Sequence, residues 1–476
     1  MRYILTPQQM RDAEQAAFQA GVSPLLLMET AARAAFEQLK ALLPGGGRVI
    51  FACGPGNNGG DGLAMARMWY AAGQEAVVVL PAAPTTADAQ TNLRYAQALG
   101  IPIVDRITGP ADAAVDALFG TGFHGSIRAG SVMGELVEAI NGLGCPVLSV
   151  DIPSGMDGLT GHAAGLCVRA DQTVTFHAAK QGLIFTDHPG LVGRLIVADI
   201  GLAPAPGIPW PDSLSDLLPP RAANAHKGTC GRAVLHAGSP GMAGAAVMAA
   251  LGCLRAGAGL VTVVCPREIV PILQTAVPNA MCRAAEERPD LRCDARLLGC
   301  GLAETEETWR ELVCLHDEST PEVWDAGALN LLAAHPQALG PNAYITPHLG
   351  EAARLLGKEI PAIAADLPAA ARALSEKYRC SAVLKSHVTV ICSWDGALAV
   401  NTAGSPALAK GGSGDALSGI LTALLAQGLR GQSAMRAACL WLGRAGEIAA
   451  EKYGVRSALT ADVIACLGDA EREAYD

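Results

Sequence analysis

The chain has 476 residues and a formal charge of -10; half of its residues are hydrophobic and 4% are aromatic. One hydrophobic core stops growing near roughly 250 to 300 residues, so two domains are expected, and the Ala- and Gly-rich composition suits helices packed closely on a parallel sheet. The acidic balance supplies no basic stripe for nucleic acid or for an anionic membrane, so neither is expected as a partner.

Residues 7–43 are predicted to be mainly helical, with the run Leu25-Leu26-Leu27-Met28 as plain core packing. Strands predicted at 48–53, 75–80, 113–119 and 146–150 alternate with helices such as 62–72 and 132–143, a pattern that predicts a parallel sheet. Six prolines then crowd into 203–220, namely Pro204, Pro206, Pro209, Pro211, Pro219 and Pro220. They block helix continuation and interior strand pairing, so domains are expected at 1–202 and 221–476 with 203–220 as the linker. Beyond it, strands are predicted at 232–236, 260–264, 296–298, 322–324, 343–345 and 381–384, interleaved with helices, the last of them at 416–427. The halves share this style without an internal repeat and are read as different α/β folds. Fourteen cysteines lack any C-x-x-C pair and read as reduced core residues. Neither a signal-peptide core nor an apolar run of roughly 18 residues is seen, and a cytoplasmic location is expected.

Two glycine-rich acidic segments carry the first chemical signal: Asn57-Asn58-Gly59-Gly60-Asp61-Gly62 and Lys410-Gly411-Gly412-Ser413-Gly414-Asp415, each read as a loop joining a strand to a helix. Glycines let the backbone close around a ligand, and the helix N-terminus offers free N–H groups and a positive dipole end. A carboxylate there opposes a phosphate, so Asp61 and Asp415 are expected to bind a hydroxyl, a cation or a proton. In the first half, two more polar clusters close strands, at Asp116 to Gly122 and at Asp151 to Asp157. Strand ends of an open parallel sheet converge on one crevice, which brings Asn58, Asp116, Asp151 and Ser154 towards each other. Their oxygens suit an alkali or alkaline-earth cation. Turn chemistry accounts for any one of these clusters; three at successive strand ends point to a site, with Asp157 left as structural.

These residues, with Phe119-Gly120-Thr121-Gly122 and Lys180-Gln181-Gly182-Leu183, resemble the N-terminal domain of the bifunctional NAD(P)HX repair enzymes. The resemblance implies a Rossmann-like three-layer domain that interconverts the R and S forms of hydrated NAD(P)H at C6 of the nicotinamide ring. It implies substrate contacts at Asn57, Asn58, Gly59, Gly60 and Asp61 and at Gly120, Thr121, Gly122, Phe123, His124, Gly125 and Ser126, and K+ held by Asn58, Asp116 and Ser154. Epimerisation requires an acid or base beside the ring, and Asp151 is assigned that role, with Lys180 either its counter-ion or a solvated surface lysine. In the stretch Met28-Glu29-Thr30-Ala31-Ala32, the family pattern has Asn and Gly where Thr30 and Ala32 stand.

In the second half, Asn401 to Asp415 resembles the ribokinase-like signature, in which a glycine loop cradles the transferring phosphoryl group and an aspartate takes a proton from the attacking hydroxyl. A plain helix entry also favours an acid in its first turn. Thr346-Pro347-His348-Leu349-Gly350-Glu351 adds an imidazole and a carboxylate that resemble the metal-associated segment of such enzymes. With His226-Lys227-Gly228, Gly244-Ala245-Ala246, 254–260 and Asp325-Ala326-Gly327-Ala328-Leu329-Asn330, the stretch from about 221 to 467 resembles the ADP/ATP-dependent NAD(P)HX dehydratases. This implies a ribokinase-like α/β/α domain that dehydrates the S hydrate with ADP or ATP as co-substrate and Mg2+ as cofactor. Asp415 is then the base, Ala245, Gly301 and His348 contact the hydrate, and Glu351 belongs to a Mg2+ shell. The nucleotide meets Lys385, Ser386, His387, Val388 and Thr389 and the amides of Gly411, Gly412, Ser413 and Gly414. Ser386, Val388, Cys300, Ala303 and Gly327 depart from the family pattern, the first two adding side chains where close backbone approach is expected. The small-molecule partners are NADHX, NADPHX and ADP or ATP, and a homo-oligomer is expected. The competing reading is a ribokinase-like kinase of a hydroxylated vitamin or sugar with an N-terminal binding module.

Overall fold

The computed structural model describes residues 2–210, 213–287 and 291–475, so Pro211 of the proline-rich stretch lies outside the described residues. The chain divides into two compact units, the first ending at Ile208 and the second beginning at Pro209. Among the described residues no helix is long and apolar enough to cross a membrane.

The first unit carries a seven-stranded sheet in the order Ile103–Val104, Ala76–Val79, Val49–Cys53, Ala113–Ala117, Val147–Val150, Gln172–Phe176, Arg194–Ala198, every neighbouring pair parallel. Val49–Cys53 and Ala113–Ala117 are fully buried, as strands covered by helices on both faces must be. The order reverses between these two strands, which opens a crevice at their C-terminal ends. Gln172–Phe176 escapes the periodicity argument because its inward positions include Gln172, Thr173 and Thr175, all buried.

Two helices, Pro7–Gln19 and Pro24–Leu42, fill the predicted helical arm. Leu27 and Met28 are buried as expected, whereas Leu26 is 61% exposed and Leu25 is 36% exposed. Four consecutive residues sweep around a helix, so one apolar stripe cannot bury them all. A short strand, Arg2–Leu5, precedes the first helix and pairs in parallel with Ala179–Lys180, with Leu5 opposite Lys180. Thr6 caps that helix by accepting from the Gln9 amide at 3.1 Å, and Gln9 returns a side-chain oxygen to the Thr6 amide at 2.9 Å.

The second unit is built on nine strands, ordered Met281–Ala284, Leu260–Cys265, Arg232–His236, Ala295–Leu298, Glu322–Trp324, Ala343–Ile345, Ser381–Leu384, Thr389–Cys392, Leu398–Asn401. The first seven are parallel and the last two form antiparallel additions to the edge. The helix Ser413–Ala426 packs on this sheet and is buried along nearly its whole length. No disulfide forms: eleven of the fourteen cysteines are buried, but Cys314 is exposed and departs from the core reading.

Two candidate active sites

The segment 57–62, expected as a loop, is helical: Asn57–Ala71 starts at Asn57 with Gly56 in extended conformation as its cap. The helix begins this early because Gly59 has no side chain. A Cβ there would lie 1.8 Å from the Gly54 carbonyl oxygen, so glycine allows the helix to rest on the strand tip. Gly59 and Gly60 consequently pack inward, against Gly54 and Met28, and do not line the cleft of about 750 Å³ that opens beside them. Asn57, Asn58 and Asp61 do line it, as do Gly120, Thr121, Gly122, Phe123 and His124. Gly125 and Ser126, expected as substrate contacts, are exposed and outside its lining.

Asp151 is presented to this cleft by a tight turn in left-handed conformation, φ +67°, in which the Ile152 amide bonds back to the Val150 carbonyl at 2.9 Å. His177, at the end of the adjoining strand, repeats the arrangement with φ +66° and Ala178 bonded to Phe176. A non-glycine residue in this region costs about 1–2 kcal/mol, strain that clusters at functional sites. Asp151 accepts from the Thr121 amide at 3.2 Å and from Thr175 Oγ1 at 3.1 Å. Lys180 Nζ stands 2.8 Å from Asp151 Oδ1 and donates to Thr175 Oγ1 and the Phe176 carbonyl. Only 1% of the lysine is exposed, which overturns the surface-lysine alternative. Asp61 enters from the helix; its burial, then the charges of Asp151 and Glu14, push its carboxyl well above the usual range. That direction favours its protonated form.

Asp116 is fully buried and does not open onto the crevice. Its oxygens accept from Ser149 Oγ at 2.8 Å, the Ser154 amide at 2.8 Å, Ser154 Oγ at 2.6 Å and the Leu118 amide at 3.3 Å. Burial raises its pKa against these bonds. Asn58 lies next to Gly120, where a Cβ would come within 3.3 Å of its Oδ1, and its buried Nδ2 has no partner. Buried donors are normally satisfied, so this amide is free to donate to water or to a molecule in the cleft. Asp157 binds the Leu159 and Thr160 amides at 2.9 and 2.8 Å and is the turn-builder expected.

In the second unit, Gly412 caps the helix Ser413–Ala426 at φ +96°, a conformation glycine adopts without cost. The free N–H groups of the first turn and Asp415 thereby face the tips of neighbouring strands. Lys410 turns away and donates to the carbonyls of Arg456 and Ala458. A Cβ on Gly414 would lie 3.2 Å from Lys385 Nζ and 3.8 Å from Asp325 Oδ2, so the helix start sits directly on an ion pair. Lys385 Nζ is 3.1 Å from Asp325 Oδ1, and Ser418 Oγ, one turn beyond Asp415, donates to Asp325 Oδ2 at 2.8 Å. Burial depresses the Lys385 pKa, but the charges of Asp325 and Glu351 overcome this and hold it above the ordinary value. Asp415 is pushed up to about 6, first by burial and then by the Asp325 charge.

Asp325, which the resemblance gives no role, is the group that ties this site together. Its position at the end of a buried strand, Glu322–Trp324, was the available signal. Cys300, Asp325 and Asp415 bring ligand atoms within 4.8 Å of one another. Glu351 is not in this cluster. Its carboxylate is turned back to the His348 amide at 2.8 Å, completing a helix cap in which His348 Nδ1 accepts from Gly350 and Glu351. One oxygen of Glu351 is thus used for capping, while its charge still acts on Lys385 and Asp415. Gly301 and Ala245 are adjacent, a Cβ on the former falling 2.9 Å from that of the latter, and His348 pairs along the backbone with Lys385. Val388, expected to obstruct the nucleotide loop, is buried with its side chain inward, while Ser386 is half-buried and His387 is exposed. At Gly327, a Cβ would meet the Leu302 carbonyl at 2.9 Å, so the backbone there favours the glycine.

If Asp415 acts as a base, kcat/KM of the second site should fall as pH drops through about 6, since the carboxylate form is the reactive one. Asp325→Asn should move this acid limb to lower pH, because removing a neighbouring negative charge eases ionisation of Asp415. A rate profile between pH 4.5 and 8 checks both; an unshifted limb in the variant would separate Asp325 from Asp415.

The family model described as NAD(P)H-hydrate dehydratase matches residues 233–467, and that described as YjeF-related protein N-terminus matches residues 25–182. Both units are thereby placed in one class: a YjeF-related domain fused to a ribokinase-like dehydratase domain. The chain is 36% identical over 487 residues to the bifunctional NAD(P)H-hydrate repair enzyme Nnr of Coxiella burnetii, covering 97% of this chain and 98% of that protein. It is 35% identical over 479 residues to the Escherichia coli enzyme of the same name, covering 96% and 91%. A solved ADP/ATP-dependent NAD(P)H-hydrate dehydratase from Bacillus subtilis, co-crystallised with ATP and Mg2+, aligns with TM-score 0.53 and 28% identity over 56% of this chain and 99% of its own. The chain belongs to the bifunctional NAD(P)H-hydrate repair enzymes. The kinase alternative falls, since the relatives match across both halves.

Proposed function

We propose that the first domain, 1–202, interconverts the R and S forms of NADHX and NADPHX at C6, and that the second, 221–476, returns the S form to NAD(P)H at the expense of ADP or ATP. The observation that carries the second part is Asp415 in the first turn of a glycine-capped helix, set against the Asp325–Lys385 pair. Hydroxide leaves poorly and phosphate leaves well. Asp415 takes the proton of the C6 hydroxyl as it attacks the terminal phosphorus, the amides of 411–414 stabilise charge on the phosphoryl oxygens, and the ring nitrogen then expels phosphate, after which loss of a proton from C5 forms the C5–C6 double bond of NAD(P)H.

We infer two cofactors from the residues present. Asp325, beside Asp415, supplies the hard oxygen that Mg2+ requires and leaves Asp415 free as the base, while the neighbouring Cys300 thiol, held protonated by burial and by both carboxylates, is no ligand for it. Bound there, Mg2+ would offset the charge of nucleotide phosphates. In the first domain, Asp116 is a fully buried carboxylate with no Lys, Arg or His paired to it among the described residues, and Ser154 Oγ and the Phe119 carbonyl adjoin it. Their oxygens suit K+, and Asn58, beside Gly120 on the same turn, would complete its shell; the ion would neutralise that charge and brace the turn at 118–120.

The test is recovery of NADH absorbance from mixed R and S NADHX with ADP or ATP and Mg2+. Wild type should consume both forms. Asp151→Asn should consume the S form rapidly and leave the R form at its spontaneous rate; consumption of both at the wild-type rate would remove Asp151 from the chemistry.

A further inference from the structure

The first site holds a group that no motif marked. Glu14 lies on the helix Pro7–Gln19 and lines the cleft with Asp61, Asp151 and Lys180. The N-terminal strand positions it: Leu5 pairs with Lys180, and the capped helix that starts two residues later carries Glu14 over the same cleft. Its carboxyl makes no described hydrogen bond, although it is half-buried. Asp151, by contrast, is committed to Lys180, Thr175 and the Thr121 amide.

We propose that Glu14 is the second proton carrier of the epimerase cleft, the acid that works with Asp151 as base. The proposal rests on the epimerase reading above and deepens it. Inverting C6 through loss and return of water needs two proton transfers. As the C6–O bond breaks, the N1 lone pair forms a C=N bond and the departing hydroxyl takes a proton from one carboxyl. Water then adds to the other face of C6 and gives a proton to the other carboxylate, so one water leaves, one enters, and no redox change occurs. Asp151 is held by a buried ammonium at 2.8 Å and is placed to accept, whereas Glu14 has no such partner and is placed to carry the proton. Burial, then the Asp151 charge, raises the Glu14 pKa against the pull of Lys180 and Arg11, in the direction an acid requires. Once Glu14 has given up its proton, its carboxylate joins Asp88 and Asp151 against Arg11 and Lys180, a balance that favours a cationic intermediate. His124 is the remaining titratable group of the lining.

The experiment uses the full-length protein with R-NADHX, ADP and Mg2+, the second domain reporting each S molecule formed. Glu14→Gln should lower kcat for the R form by about 10²-fold with KM little changed, while the S form is recovered at the wild-type rate. The wild-type profile should decline as pH rises through the acid's pKa, and Glu14→Gln should lose this alkaline limb; Glu14→Asp should restore part of both rate and limb. Wild-type epimerisation by Glu14→Gln, or a slow variant that keeps the alkaline limb, overturns the proposal. Loss of the limb in Asp61→Asn alone would make Asp61 the acid and also overturns it. If Asp151→Asn as well as Glu14→Gln epimerises normally, it is the reading of the cleft itself that fails.

Discussion

Asp415→Asn is expected to abolish NADH recovery from both hydrate forms, a loss of about 10²- to 10⁴-fold, the worth of a positioned general base. Asparagine keeps the size and the helix-start position of the aspartate but cannot accept the hydroxyl proton. Both forms suffer because the R form must become S before the second domain acts on it. Nucleotide binding should survive, since Gly412, Gly414, Lys385 and Asp325 are untouched. Removing a negative charge beside the phosphates should even tighten it slightly. Steady-state NADH absorbance from S-NADHX and calorimetric titration with ADP measure the two effects. Recovery at the wild-type rate would mean that another group takes the proton.

Lys180→Met should damage the first domain in both stability and activity. The three ammonium protons meet Asp151, Thr175 and the Phe176 carbonyl, all in a site where the lysine is 1% exposed. Removing one partner of a buried ion pair strands the other, at a cost on the order of 3–5 kcal/mol. The stranded Asp151 then favours its protonated form, so the deficit against wild type should be large at neutral pH and shrink as pH falls. Denaturant unfolding at two pH values, followed by a probe in the first domain, should show this trend. Epimerisation at neutral pH should drop with it, because a neutral Asp151 is no base. A variant as stable as wild type at pH 7 would show that the pair contributes little.

Much of the architecture was legible because parallel strands buried on both faces are short apolar runs. Val49–Cys53, Ala113–Ala117 and Ser381–Leu384 stand where such runs predict them. Gln172–Phe176 was not legible, since threonines that satisfy their hydroxyls inside the fold look polar in sequence. Among site residues, Asp151 and Asp415 were visible through their strand-end and helix-start positions. Asp325 and Glu14 were not assigned, the first because its bonds to Lys385 and Ser418 span 60 and 93 residues, the second because a lone glutamate on an amphipathic helix resembles any solvated face.

The amino-acid order by itself determined where chemistry was concentrated: glycines that admit close backbone approach and acids at the ends of apolar runs are local properties, readable residue by residue. What only the tertiary structure decided was which of those groups are aimed at a ligand. Gly59 turned inward because a strand tip presses on its helix and Gly60 because Met28 packs against it, Glu351 gave one oxygen to a helix cap, and Lys180 disappeared from the surface to hold Asp151. Each outcome depends on burial and on partners distant in sequence, and both arise only when the layers pack.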